Sequence, residues 1–169
     1  MELWTLTISD PLATPRHAAR AEADGWDGVL VVDSQNLSPD SYVALAAAAG
    51  ATSRVGLGTG VTNPVTRHPA VTASAIAALQ RLSAGRAVLG IGRGDSALAH
   101  LGRAPASVRT FERYVDVLQR YLRGESVPFE DLDFQAAVAP PVSELGLEDT
   151  PPHSRIAWID AEAPKVPVE

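Results

Sequence analysis

Residues 54–102 read RVGLGTGVTNPVTRHPAVTASAIAALQRLSAGRAVLGIGRGDSALAHLG. Two apolar runs, RVGLGTGVT (54–62) and AVLGIG (87–92), bracket the helical pattern AVTASAIAALQRLSA, which stops at Gly85. Neither run alternates polar with apolar residues, which is the pattern of strands in a parallel sheet packed under helices. Strand, helix and strand in that order give a βαβ unit. The second run then dissolves into Gly90, Gly92 and Gly94 and stops on Asp95. Glycines give up side-chain packing, so something is expected to approach the backbone closely there.

The same unit recurs on both sides. LWTLTIS (3–9) leads to Thr14 as N-cap with Pro15 in the first turn, and Gly25 closes that helix. GVLVVD (28–33) leads to Ser38 and Pro39, the helix DSYVALAAAA and a stop at Gly50. After AVLGIG a helix spans about 107–122, with Gly124 behind it. Its apolar stripe is Phe111, Val115, Leu118 and Leu122, with Glu112, Arg113, Asp116 and Arg120 turned to water. Strand starts near 3, 28, 55 and 87 repeat every 25 to 32 residues or so, the period of βα units.

The chain divides into 1–124, four βα units; 125–155, an acidic and proline-rich insertion; and 156–169. RIAWI (155–159) reads as a short strand and PKVPVE as the opening of another, so the chain reads as cut short. The 169 residues suffice for one domain with a real core. A net charge of -6 with no lysine-rich run argues against nucleic acid and acidic membranes as partners. Zero cysteines exclude disulfides and thiolate metal sites, and no ligand spacing supports a metal. MELWTLTISD is no signal peptide and no apolar run reaches the roughly 20 residues of a membrane span, so the expected location is cytoplasmic.

Repeated βα units fit a doubly wound sheet or part of a barrel. GRGDSA (92–97) satisfies G-x-G-x-x-A, yet the dinucleotide fingerprint belongs after the first strand, and the acids at the required distance fall in a helix. Gly94-Asp95-Ser96 matches an esterase block, but Asp149 and His153 are one residue too far apart for its partner pair, and no G-x-S-x-G elbow exists. A (β/α)₈ barrel explains more. Its functional groups gather at the C-terminal strand ends, which here are Asp33-Ser34-Gln35, Thr59 to Asn63, and Gly92 to Asp95.

The stretch 58–102, with VVDSQ before it, resembles the N-terminal half of the luciferase-like oxidoreductases, in particular the branch of methylenetetrahydromethanopterin reductase. The resemblance implies a TIM-type (β/α)₈ barrel, of which only the first four to five units are present. It implies hydride transfer between an organic substrate and a deazaflavin (coenzyme F-420). The alternatives are an FMN-dependent monooxygenase using molecular oxygen, and a non-catalytic half-barrel that needs a partner chain. It further implies that Gly60-Val61 forms a non-proline cis peptide behind the ring and that Thr62 and Asn63 line the ring edge. Asp33 and Asp95 are the implied catalytic acids, with Ser34, Arg93 and Gly94 beside the cofactor. Relatives often carry histidine after the second-strand acid. Ser34 stands there instead and cannot act as an acid or base near neutral pH. His68 and His100 sit where a helix entrance and a loop explain them.

A full barrel takes about 250 residues, and the family is roughly twice the length of this chain. An unclosed half leaves two strand edges and an apolar face uncovered. A homo-oligomer or a complementary C-terminal half is therefore the expected partner, beside a small-molecule substrate.

Overall fold

A computed structural model describes residues 1–94, 96–135 and 153–154. Four strands, β1 (Trp4–Thr7), β2 (Gly28–Val31), β3 (Gly56–Thr62) and β4 (Ala87–Ile91), form one sheet in the order β1-β2-β3-β4. Every neighbouring pair is parallel. Helices α1 (Thr14–Ala23), α2 (Ser41–Ala51), α3 (Pro69–Leu82), α4 (Ser96–Ala99) and α5 (Val108–Leu122) follow the strands. A short antiparallel pair, β5 (Val127–Pro128) with β6 (His153–Ser154), and the 3₁₀ helix Phe129–Gln135 come last. The partial (β/α) barrel and its strand starts are as the sequence predicts. RIAWI and PKVPVE lie outside the described residues.

The core lies between the sheet and the helices. Val29, Val31, Leu57 and Leu89 point from the strands into Ala18, Ala44, Ala48, Ala73, Ile76 and Ala77. Alanine lets α1 and α2 approach the sheet and each other closely, where bulkier side chains would hold them apart.

Three helix starts or ends differ from the sequence reading. Thr14 is no N-cap: Asp10 Oδ1 accepts from the Leu12 and Ala13 amides, while Thr14 Oγ1 donates to the Ile8 carbonyl. Ser38 is no cap either, because Asp40 Oδ1 accepts from the Tyr42 and Val43 amides. At α2 the carboxylate outcompetes the hydroxyl, whereas α1 begins with no side-chain cap, Asp10 holding the turn before it. Gly50 lies inside α2 and does not end it. The caps at Gly85 and Gly124 have φ of +94° and +77°, as glycine terminators require. Ser107 caps α5 by accepting from the Thr110 amide.

The α5 stripe is rotated from its expected position. Tyr114, Val117, Leu118, Tyr121 and Leu122 are buried, and Phe111 and Val115 only partly so. Tyr114 can go inside because its hydroxyl meets Thr72 Oγ1 at 2.7 Å.

The sheet is also not covered on both faces. Leu6 and Val88 remain 57% and 39% exposed on the face away from the helices. Apolar strands signal burial in a closed sheet, and four strands curve around only part of that interior. On this face the row Gly28, Gly56, Gly58 and Gly60 is filled by neighbours. The Trp4 indole lies across Gly28 and Gly56, and Leu6 and Leu30 lie over Gly60.

The opposite, N-terminal edge of the sheet is pinned by two charged side chains. The Glu22 carboxylate accepts from the amides of Ser53, Arg54 and Val55. The Arg86 guanidinium donates to Ser83 O, Thr52 Oγ1, Val55 O, Ala49 O and Thr52 O.

Candidate active site

The register places Val31, Thr59 and Leu89 in one row across the sheet. Because all strands are parallel, whatever follows each of them emerges at one edge. Asp33 and Ser34 follow β2, Asn63 follows β3, and Gly92 to Gly94 follow β4.

The peptide between Gly60 and Val61 is cis, and the β3–β4 register slips between Thr59 and Thr62. Val61 is half exposed and lies beside Gly92, where an added Cβ would stand 3.3 Å from its Cγ2. Gly60 carries no side chain because Leu30 Cβ and Leu6 Cδ1 occupy that space, each 2.9 Å from where a Cβ would be. Gly90 is glycine for a strand-packing reason, since its Cβ would be 2.2 Å from the Thr59 carbonyl oxygen. At Gly94 φ is +83°, and a Cβ would run into Leu98.

Asn63 is buried and spends its carboxamide oxygen on the following loop, accepting from Val65 N, Thr66 N and Thr66 Oγ1 at 3.0–3.2 Å. Its Nδ2 has no partner. Thr62 is fully buried, its hydroxyl beside the Tyr42 phenol. Asp33 is only 3% exposed. Its Oδ1 accepts from Gln35 Nε2 at 2.8 Å and its Oδ2 from nothing.

The Ser34 carbonyl accepts from Leu37 N, Ser38 N and Ser38 Oγ, which folds the β2–α2 loop back on itself. Arg93 is exposed and donates from Nη1 to the Ala106 carbonyl at 3.3 Å. Asp95 lies outside the described residues. His68 caps α3, its Nδ1 accepting from the Ala70 amide, and burial lowers its pKa. His100 touches the site through its backbone, where its carbonyl accepts from Asn36 Nδ2.

Two side chains absent from the sequence reading stand behind Asp33. The Arg67 guanidinium lies 4.7 Å over the Tyr42 ring and is ion-paired with Asp40. Burial pushes the Tyr42 phenol far above its ordinary pKa; Asp33 and Tyr114 add to that rise, while Arg67 and the hydrogen bond with Thr62 oppose it. Burial likewise raises Tyr114 to about 12, against the bond from Thr72. Asp33, Gln35, Asp40, Arg67 and His68 help enclose a cavity of about 510 Å³ between the starts of α2 and α3. No motif announces the Tyr42–Arg67 pair, whose members come from different units.

Among the described residues no three His, Cys, Asp or Glu side chains gather as metal ligands, and no helix is long and apolar enough to cross a membrane. A flat ring with an acceptor edge fits what is present. Gly92 leaves its side-chain space to the half-exposed Val61 alone, and Asn63 Nδ2 is a donor without an acceptor.

The family model described as luciferase-like monooxygenase matches residues 3–154. The 5,10-methylenetetrahydromethanopterin reductase of Methanolobus tindarius is 38% identical over 125 residues, covering 72% of this chain and 38% of its own length. An F-420-dependent glucose-6-phosphate dehydrogenase of Kineococcus radiotolerans is 42% identical over 87 residues, 47% of this chain and 26% of its own. Among solved structures, the coenzyme F-420 dependent tetrahydromethanopterin reductase from Methanopyrus kandleri superposes with a TM-score of 0.66 at 30% identity. That match covers 73% of this chain and 40% of the other. The chain thus spans less than half the length of the relatives it matches.

Proposed function

The chain belongs to the luciferase-like monooxygenase family, and from that premise we propose that it forms the N-terminal part of an oxidoreductase site that takes coenzyme F-420. The observation that carries this reading is the shared strand edge, where the half-exposed Val61 lies against Gly92 and the unpaired donor of Asn63 follows two residues on, its Cβ 3.3 Å from where a Gly94 side chain would start. Two relatives with F-420 in their names support the deazaflavin over FMN.

When bound, a deazaflavin supplies a ring carbon that gives or accepts hydride. This chain's residues have other tasks. Val61 and Gly92 offer a support, with Gly60 behind them under Leu6 and Leu30, and Asn63, Thr62, Ser34, Arg93 and Gly94 bound the ring's polar edge. Asp33 sets a buried carboxyl group behind that edge, and Asp95 handles the proton. A small organic molecule is the second reactant, and the cytoplasm is the compartment in which such chemistry is expected.

The half-covered sheet favours a further component. Leu6 and Val88 face away from the helices and stay exposed, so a second copy or a complementary C-terminal half is needed to cover them.

Titration of the chain with deazaflavin and with FMN, followed by ring fluorescence, tests the reading. Saturable change with deazaflavin is expected. Saturation with FMN alone, with oxygen-dependent turnover, would transfer the assignment to a monooxygenase, and no change with either removes the ring site from this chain. Mass in solution tests the partner: a stable monomer speaks against assembly with a second copy.

A further inference from the structure

We propose that Ser9 is a positioning residue: its hydroxyl ties the exit of β1 to the inner corner of the β2–α2 loop and so holds Gln35 against Asp33. The inference rests on reading Asp33 as part of the ring site.

The exits of β2, β3 and β4 carry the candidate site, and β1 opens on the same edge of the parallel sheet. Ser9 lies just past the end of β1 and is fully buried. A buried hydroxyl must find partners, so what it meets is informative. Ser9 Oγ lies 2.6 Å from the Pro39 carbonyl oxygen and 2.7 Å from Ser38 Oγ. Donating to the carbonyl leaves its lone pairs for the Ser38 hydroxyl, so one small group holds two successive residues of the loop.

The fold prepares Ser9 for this contact. The Thr14 hydroxyl, itself fully buried, accepts from the Asp10 amide and donates to the Ile8 carbonyl, both at 3.0 Å. The backbone is thus pinned on both sides of Ser9. The loop that Ser9 meets is a tight turn. The Ser34 carbonyl accepts from the amides of Leu37 and Ser38, and Asn36 has a φ of +66°. Asn36 Nδ2 fixes the outer tip on the His100 carbonyl, and Asp40 with Arg67 fixes the start of α2. Ser9 supplies the inner anchor, from the strand exit. Gln35 sits within this turn and donates to Asp33 Oδ1 at 2.8 Å. A displaced turn would carry that amide away from the carboxylate. Asp33, Gln35, Ser38 and Pro39 also line the cavity of about 510 Å³, so the same anchor sets one of its walls.

The test compares the wild-type chain with Ser9→Ala, Gln35→Ala, the double variant and Asp33→Asn, by deazaflavin titration and by NMR of the Gln35 side-chain amide without cofactor. Ser9→Ala is expected to weaken deazaflavin about fivefold alone and under about twofold in the Gln35→Ala background. Ser9→Cys, which keeps a weak donor in the same space, should fall between wild type and Ser9→Ala. Ser9→Ala should also shift the Gln35 Nε2 protons and speed their exchange, which a general loss of stability such as Arg86→Lys should not. Equal fold-losses in both backgrounds, or an unmoved Gln35 amide in Ser9→Ala, overturn the proposal. A shifted amide together with an Asp33→Asn affinity equal to wild type leaves the anchor standing and removes Asp33 from the ring site. If Ser9→Ala does not fold, Ser38→Ala removes the partner hydroxyl instead and should move the same amide; an unmoved resonance there overturns the anchor.

Discussion

Thr59 and Gly90 clasp β3 to β4 twice over: the Thr59 hydroxyl donates to the Gly90 carbonyl at 2.7 Å, and the Thr59 carbonyl occupies the space a Gly90 side chain would need. The obstacle is backbone, which cannot rotate away as a side chain would. Gly90→Ala should therefore destabilise the fold by about 1–3 kcal/mol, read as a lower urea midpoint with an unchanged slope. Gly50 is the contrast. It lies within α2 with nothing within 4 Å of a built Cβ, so Gly50→Ala should stabilise by about 0.5–1 kcal/mol.

Glu22 predicts an acid-sensitive joint between α1 and β3. Desolvation works against its charged form, yet the amides of Val55, Arg54 and Ser53 outweigh that and lower its pKa from 4.5 to about 2. A depressed carboxylate contributes stability that is complete above the unfolded value and fades as pH falls from there toward the folded one. Unfolding midpoints should thus decline between about pH 4.5 and 2. Glu22→Gln should flatten that decline and cost about 1 kcal/mol at neutral pH, the modest figure reflecting solvent screening.

Tyr114 and Thr72 should show the asymmetry of a buried hydrogen bond. Their oxygens are 2.7 Å apart and both residues are buried. Tyr114→Phe strands the Thr72 hydroxyl and should cost about 1–3 kcal/mol. Adding Thr72→Val removes the stranded group, so the double variant should recover part of that loss. A double variant less stable than both single ones would contradict this.

The strands are readable because each is a largely apolar run that gives way to polar or glycine-rich residues, and all four begin within a residue of the expected place. The caps at Thr14 and Ser38 were misread for a local reason. Each start offers both a hydroxyl and a carboxylate within four residues, and composition cannot say which will accept the free amides. Apolarity along Leu6 and Val88 gave no hint that their face would stay open, since a run records burial in the finished sheet and not what covers it. Within the site, Asp33, Asn63 and Gly92 were legible because parallel strands must release their C-termini at one edge. Tyr42 and Arg67 were not, because their contact depends on how two loops from separate units meet.

Arg86 and Asn63 separate stability from site geometry at opposite edges of the same sheet. Arg86 forks into five acceptors around the N-terminal edge, a geometry that an ammonium group cannot reproduce, so Arg86→Lys should cost about 2 kcal/mol. Asn63→Ala frees three donors of the loop that carries Arg67 and His68 and should cost a similar amount. The two variants should part company in deazaflavin titrations. Arg86→Lys leaves the strand exits untouched, so its affinity should stay within about twofold of wild type. Asn63→Ala also loses the unpaired Nδ2, and its affinity should fall about tenfold, the worth of one hydrogen bond to a bound ring. Equal losses in both would mean that general loosening governs the affinity. Asn63 would then be a loop anchor and nothing more.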